Sequence, residues 1–145
     1  MPRFLKASAL LFFLFILWII YLANTGSSSI FFDLVRAMPY GDKLGHIALF
    51  GTFSLILIPA TRATYFKLGF IRFYYGAIAV LSFALIEEIS QAFVRSRTFD
   101  LIDLAADIVG VILASSLVYL VQRARNINNL SQPENPDTTS ETTDD

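Results

Sequence analysis

Hydrophobic residues fall into four long runs along this chain, separated by short segments that carry most of its charges. The runs cover about residues 4–23, 44–60, 73–94 and 101–121. Each run approaches the roughly 20 residues that a helix needs to cross the hydrocarbon core of a bilayer. Helices are the expected form because lipid offers the backbone no hydrogen-bond partner. The pattern predicts an all-α membrane protein, a bundle of four transmembrane helices.

Composition agrees with this class and narrows the chemistry. The chain has 145 residues, of which 55% are hydrophobic, 14% aromatic and only 16% charged. A soluble domain would carry more charge. The net charge of −1, with no strongly basic patch, gives no reason to expect nucleic acid as a partner. The lack of cysteine excludes disulfides, thiolate metal sites and a cysteine nucleophile.

Lysine and arginine are distributed unevenly about the four runs. One side holds Arg3, Lys6, Arg62, Lys67, Arg72, Arg123 and Arg125, and the other holds Arg36, Lys43, Arg95 and Arg97. Cytoplasmic loops carry an excess of these residues, so the larger group is expected inside. Both termini are therefore predicted to be cytoplasmic, with membrane lipids as the partners of the spans.

The first run has an alternative interpretation as a secretory signal, because Arg3 and Lys6 precede the apolar stretch 10–21. That stretch is long for a signal peptide. The segment Tyr21-Leu22-Ala23 also lacks small residues at both cleavage positions. An uncleaved first helix is therefore favoured.

Two segments outside the runs have distinct patterns. Residues 30–38 have apolar side chains on one side and Asp33 and Arg36 on the other, which is typical of a short helix lying on the outer membrane surface. Residues 126–145 are mostly polar and acidic and predict a disordered cytoplasmic tail. The transmembrane domain is accordingly placed at residues 1–125.

Ionisable residues interrupt the third apolar run near its end. Glu88, Gln91 and Arg95 share one helix face, whereas Glu87 lies further round and is expected to reach toward the surface. A charged side chain inside a membrane span costs roughly 2.5–3.5 kcal/mol. Such residues usually face one another and indicate function.

The start of the fourth run combines acids with small residues. Its acids lie along one line and are Asp100, Asp103 and Asp107. Ala106, Gly110 and Ala114 form a strip of small residues that would let another helix approach closely. Asp107 is therefore expected to lie beside a packed helix interface.

A third polar group, Asp42, Lys43 and His46, opens the second run. Four antiparallel spans would bring the outer ends of the last three helices to one level, so the three groups are expected to converge. The predicted polar or ligand-binding site consists of Asp42, Lys43, His46, Glu88, Gln91, Arg97, Asp100, Asp103 and Asp107.

Several roles stay open for this site. Glu88 and His46 are candidate catalytic groups, since either could act as a general base. Ion pairing of the acids with Lys43, Arg95 or Arg97 as a structural brace is equally compatible with the pattern. Arg97 and Lys43 could instead hold a phosphate. No H-x-x-H or HExxH spacing accompanies His46, so a hydrogen-bonded structural role is favoured over a metal ligand, and no metal or other cofactor is predicted. A histidine with several carboxylates can still bind a cation.

The polar residues form three motifs in order along the chain. They are Asp42-Lys-x-x-His46, Glu88-x-x-Gln91 and Arg97-x-x-Asp100-x-x-Asp103-x-x-x-Asp107-x-x-Gly110. These motifs resemble the VanZ-like family of small bacterial membrane proteins, which is named for a member associated with teicoplanin resistance. The resemblance covers nearly the whole chain apart from the tail. The family commonly has Asn where this chain has Asp107, which adds an ionisable group here.

The resemblance implies a multi-pass protein of the bacterial cytoplasmic (inner) membrane with a link to the cell envelope. It also implies a link to antibiotic resistance, through tolerance of lipoglycopeptides such as teicoplanin, but no known reaction.

Three classes of function remain open. The first is a non-enzymatic envelope protein whose outward site engages an amphiphile, either the lipid part of a lipoglycopeptide or a lipid-linked, anionic wall precursor. The second is a membrane enzyme acting on a lipid-linked or phosphate-bearing envelope substrate. The third is an ion or proton carrier, although polar residues confined to one half of the membrane leave no continuous path across it. The first is favoured because it rests on the motif match.

Overall fold

A computed structural model describes residues 2–25, 37–94 and 99–130. In chain order the elements are α1 (Pro2–Asn24), α2 (Gly41–Ala60), β1 (Tyr65–Leu68), β2 (Ile71–Tyr74), α3 (Tyr75–Gln91) and α4 (Leu101–Leu130). The predicted surface helix at 30–38 falls largely outside the described residues. Arg95, Arg97 and residues 131–145 fall wholly outside them.

The described chain is mostly helical, and three of its helices are long and apolar enough to cross a membrane. These helices are α1, α2 and α4, with spans at Arg3–Asn24, Gly41–Ala60 and Leu101–Asn128. They indicate a membrane protein, as the apolar runs predict. Helix α3 has 17 residues, which is the lower end of the length that can span a bilayer.

Helix α2 lies at the centre of the bundle and packs against α1, α3 and α4. Its contact with α4 is the most extensive because both helices carry a glycine at the crossing. A Cβ atom built on Gly110 would lie 2.6 Å from the carbonyl oxygen of Ile47, and one on Gly51 would lie 3.2 Å from the carbonyl oxygen of Gly110. Ala106 and Ala114, on the same strip as Gly110, are buried.

The hydrophobic core lies along the middle of α2 and draws on every other helix. Its buried members include Ile16 of α1, Phe50 and Ile58 of α2, Val80 of α3 and Val111 of α4. Aromatic rings fill the space among α1, α2 and α3, and they pack in stacked, tilted and edge-on arrangements. This core separates the two ends of the bundle.

A two-stranded hairpin corrects the all-α prediction. Tyr65 pairs with Tyr74 and Leu68 with Ile71 in antiparallel register. Aromatic and β-branched residues favour strands, and the turn between them begins at Gly69, whose φ of 60° suits glycine. The third apolar run therefore begins as a strand, and its helix starts at Tyr75 rather than at residue 73.

The last helix is longer than predicted. It continues beyond residue 121 to Leu130 and so extends into the segment predicted as a disordered tail. The hydroxyl of Tyr74 donates a hydrogen bond of 3.0 Å to Oε1 of Gln122, which ties the hairpin to this extended part of α4.

Candidate functional site

The polar end of the bundle is the end where α2 and α4 begin and α3 finishes. Every acidic residue in the described ranges lies here, namely Asp42, Glu87, Glu88, Asp100, Asp103 and Asp107. Helices α2 and α4 run in the same sense and α3 runs opposite to them, so three helix ends meet. The structure thus brings together every residue of the predicted polar site except Arg97, which lies outside the described residues.

Lys43 joins the beginning of α2 to the beginning of α4. Its Nζ donates hydrogen bonds to Oδ2 of Asp100 at 2.8 Å and to Oδ1 of Asp103. A third, longer contact of 3.5 Å reaches Oδ2 of Asp42. The Lys43 ammonium beside Asp100 lowers the pKa of that carboxyl below its usual range. The ammonium is thus engaged by carboxylates from both helices.

His46 lies one turn deeper and connects to the two inner aspartates. Its Nδ1 is 2.9 Å from Oδ1 of Asp107, and its Nε2 is 3.8 Å from Oδ2 of Asp103. Asp107 is fully buried, and its Oδ2 has no hydrogen-bond partner among the described residues. A carboxylate at Nδ1 favours a proton on that nitrogen and orients the ring, with Nε2 facing Asp103.

The end of α3 contributes two carboxylates and an amide. Nε2 of Gln91 lies 2.9 Å from each carboxylate oxygen of Glu87 and 3.3 Å from Oε2 of Glu88. The backbone N–H of Asp100 donates to Oε1 of Glu88 at 2.5 Å, so α3 is bonded to the start of α4. Both glutamates are buried.

The burial of Glu87 shows that its predicted surface position was wrong. Because α2 and α4 together cover a wide sector of α3, adjacent residues on that helix are both enclosed. The pairing of Glu87 with Gln91 four residues later was the signal in the sequence that could have placed it at the site.

Asp100 also holds the first turn of α4. Its Oδ1 accepts a hydrogen bond of 2.8 Å from the backbone N–H of Ile102, and its carbonyl oxygen accepts one from the N–H of Asp103. A carboxylate at this position satisfies amide groups that the helix leaves without partners. Asp100 therefore combines a capping role with the ion pair to Lys43.

Three of these side chains could ligate a cation. Asp42, His46 and Asp103 each offer one ligand atom, and these atoms lie within 4.8 Å of one another. One imidazole and two carboxylates form a ligand set that divalent transition metals accept. Oδ1 of Asp103 is already engaged by Lys43, whose charge compensates the acids.

The arrangement is rich in hydrogen-bond acceptors. Within the described part of the chain, carboxylates outnumber cations at this end, where Lys43 is the only lysine or arginine. Asp42 and Asp100 are the more accessible acids, with side chains 62% and 35% exposed, whereas Glu88 and Asp107 are buried behind them. The site is chemically suited to receive donor groups at its rim and to move a proton at His46.

Comparisons with known proteins find no match for this chain among family models, curated proteins or solved structures.

Proposed function

We propose that this chain is a VanZ-like, multi-pass integral membrane protein whose outward-facing polar site acts on the cell envelope. The observation that carries the proposal is the joining of three helix ends through Lys43, His46 and Glu88 at hydrogen-bond distances. Apart from Arg97, which lies outside the described residues, the polar residues that carry the resemblance are neighbours in space. Ionisable side chains buried within membrane-length helices, such as that of Asp107, usually serve a function.

The proposed orientation follows from the opposite end of the bundle. The described cations other than Lys43 lie there, on α1, the turn after α2, the hairpin and the extended part of α4. An excess of lysine and arginine favours the cytoplasmic side. With α3 as a fourth, short span, both termini are cytoplasmic and the polar end faces outward, toward envelope components.

The proposed ligand is an amphiphile that presents amino or hydroxyl donors to the rim. Lys43 is bound by Asp100 and Asp103, so its ammonium is not available as an anion site. The exposed carboxylate of Asp42 is the first acceptor that a ligand would meet. A lipoglycopeptide or a lipid-linked wall precursor supplies donors of this kind together with a chain that partitions into the bilayer.

The test is drug tolerance in a sensitive Gram-positive host expressing the wild type, Asp42→Asn or Glu88→Gln at matched membrane abundance. Lys67→Gln is the control, because Lys67 is an exposed charge at the opposite end. We expect the wild type and the control to protect against teicoplanin more than against vancomycin, and the two site variants to lose this protection. Equal growth of all strains at matched abundance would overturn the proposal.

A second candidate function is a membrane enzyme acting on a lipid-linked or phosphate-bearing envelope substrate. The contact of Asp107 with Nδ1 of His46 favours it, since a buried carboxylate in this position orients an imidazole whose Nε2 can act as a general base. Substitution His46→Gln should then abolish turnover of a lipid-linked precursor, measured by mass spectrometry of membrane extracts. Unchanged precursor pools on expression of the wild type would remove this candidate.

A further inference from the structure

An open groove lies at the hairpin end, on the opposite side of the core from the polar site. It runs between β2, α3 and α4 and has a volume of about 490 Å³. Its walls are mainly apolar, and they include Ala77, Ile78 and Leu81 of α3 and Val111 and Ile112 of α4. A groove of this size is within the range that holds small apolar ligands.

The groove is elongated along the bundle axis. Its lining on α4 extends from Val111 to Leu120, a distance of about 13 Å at 1.5 Å of helix rise per residue. Ser115 and Ser116 add hydroxyls to this wall, and Phe70 and Ile71 of the hairpin also line the groove. The shape fits the upper part of an extended hydrocarbon chain.

Arg72 supplies the one cationic group among the lining residues. Its guanidinium carbon lies 4.8 Å from the ring centroids of both Tyr65 and Tyr119, so two aromatic faces hold it at the rim. Among the residues that the structure describes, no carboxylate forms an ion pair with it. A half-buried guanidinium without an acid beside it is suited to a phosphate, which it can bind through two N–H groups.

The surroundings favour an anion over any other partner. Arg62, Lys67, Arg123 and Arg125 lie at the same end, and no acid within the described ranges does. Basic pockets between membrane helices on the cytoplasmic side bind anionic lipid headgroups. A phospholipid carries a phosphate and hydrocarbon chains in one molecule, and this groove offers a guanidinium and apolar walls side by side.

We propose that this groove binds an anionic phospholipid, with its phosphate on Arg72 and one acyl chain along α3 and α4. The site is at the other end of the bundle from the polar site and does not rest on the function proposed for that site. The positive charge at the rim selects an anionic headgroup, and the apolar walls of the groove select a hydrocarbon chain.

The test is native mass spectrometry of the full chain in detergent with phosphatidylglycerol or phosphatidylcholine of identical acyl chains. The two lipids share the chain, so a difference in retention reports the headgroup. We expect the wild type to retain phosphatidylglycerol about fivefold more than phosphatidylcholine, the ratio for about one charge near a membrane surface. Arg72→Gln should reduce this preference to none.

Two further variants distinguish specific binding in the groove from general attraction of anionic lipid to a basic surface. Lys67→Gln is the matched control, because Lys67 is the cross-strand partner of Arg72 and is exposed. It should keep the preference, whereas Ser115→Phe, which places a ring in the groove, should reduce retention of both lipids. Equal losses in Arg72→Gln and Lys67→Gln, or no preference in the wild type, would overturn the proposal. Circular dichroism of each variant establishes that the helices are intact.

Discussion

The two ends of this bundle use charge in opposite ways. At the polar end, acids from three helices are bonded to Lys43, His46 and Gln91, and most of them are buried. At the hairpin end, cations lie on separate elements and are exposed or held against aromatic rings. Buried charges require partners, whereas solvated charges do not. The polar end is therefore part of the folded framework, and the charges of the hairpin end are free to face a membrane surface.

The contact between α2 and α4 positions the polar end, so separating these helices should have the largest effect. Gly110→Leu places a side chain where even a Cβ atom would lie 2.6 Å from a backbone oxygen of Ile47. We expect a loss of at least about 3 kcal/mol of unfolding free energy, the upper part of the range for overpacking. Denaturant unfolding in detergent measures it.

Gly45→Ala is the control for this substitution, since a Cβ atom on Gly45 meets nothing within 4 Å. It should leave stability unchanged or raise it by up to about 1 kcal/mol through helix propensity. Equal destabilisation by both variants would contradict the close approach of α2 and α4 at Gly110.

The same substitution at the two ends tests the comparison directly. Lys43→Met removes the partner of Asp100 and of the buried Asp103. We expect a destabilisation of about 1.5–3 kcal/mol, the usual size for a hydrogen bond to a charged group. Lys67→Met, on the exposed strand β1, should change stability by less than about 0.5 kcal/mol. Similar thermal stability of the two variants would show that Lys43 does not hold the helices together.

A neutral hydrogen bond should matter less than the Lys43 cluster. Tyr74→Phe removes the bond from the buried Tyr74 hydroxyl to Gln122 and keeps the ring in place. We expect a loss of about 0.5–1.5 kcal/mol, which thermal unfolding measures. Tyr75→Phe, at an exposed neighbouring ring, should have no effect, and a larger loss there would contradict the structure of the hairpin end.

The smallest expected effect is a pH dependence from Asp100. Because Lys43 lowers its pKa in the folded state, this carboxylate contributes stability that is present above its unfolded pKa of about 3.9. That contribution is lost as pH falls through the lower, folded pKa. Melting temperatures of the wild type and Asp100→Asn, measured from neutral to acidic pH, should converge in acid. Asn retains the cap, so the two proteins differ only in the charge at residue 100. A melting-temperature difference that stays constant with pH would show that the ion pair with Lys43 does not contribute to stability.

Much of the helical fold can be predicted because apolar runs of membrane length leave the backbone few alternatives. The antiparallel order of the helices also predicts one polar site, because it places the starts of α2 and α4 beside the end of α3. The residues that it brings together include Asp42, His46, Glu88 and Asp103. The individual pairings do not follow. Whether Lys43 bonds to Asp100 or to Glu88 depends on the rotation of each helix, which is set by the close approach at Gly110.

The hairpin was missed for a different reason. The segment from Tyr65 to Tyr74 is short and overlaps the predicted start of the third apolar run, and its two cations among aromatic residues are typical of a basic membrane loop. Its strand character comes from Phe66 stacking on Phe73 across the pair, with ring centroids 5.4 Å apart. Such a cross-strand contact becomes evident only once the turn at Gly69 is recognised.

The position of Lys43 in the chain has a consequence for biosynthesis. Its partners Asp100 and Asp103 follow it by 57 and 60 residues. At a synthesis rate of roughly 5–20 residues per second, α2 exists for about 3–12 s before those partners emerge. During that interval the central helix already carries an ammonium and an imidazole with no aspartate from α4 to bind. In a ribosome-bound chain that ends before residue 100, α2 should therefore be held in place less firmly than in a chain that includes the start of α4.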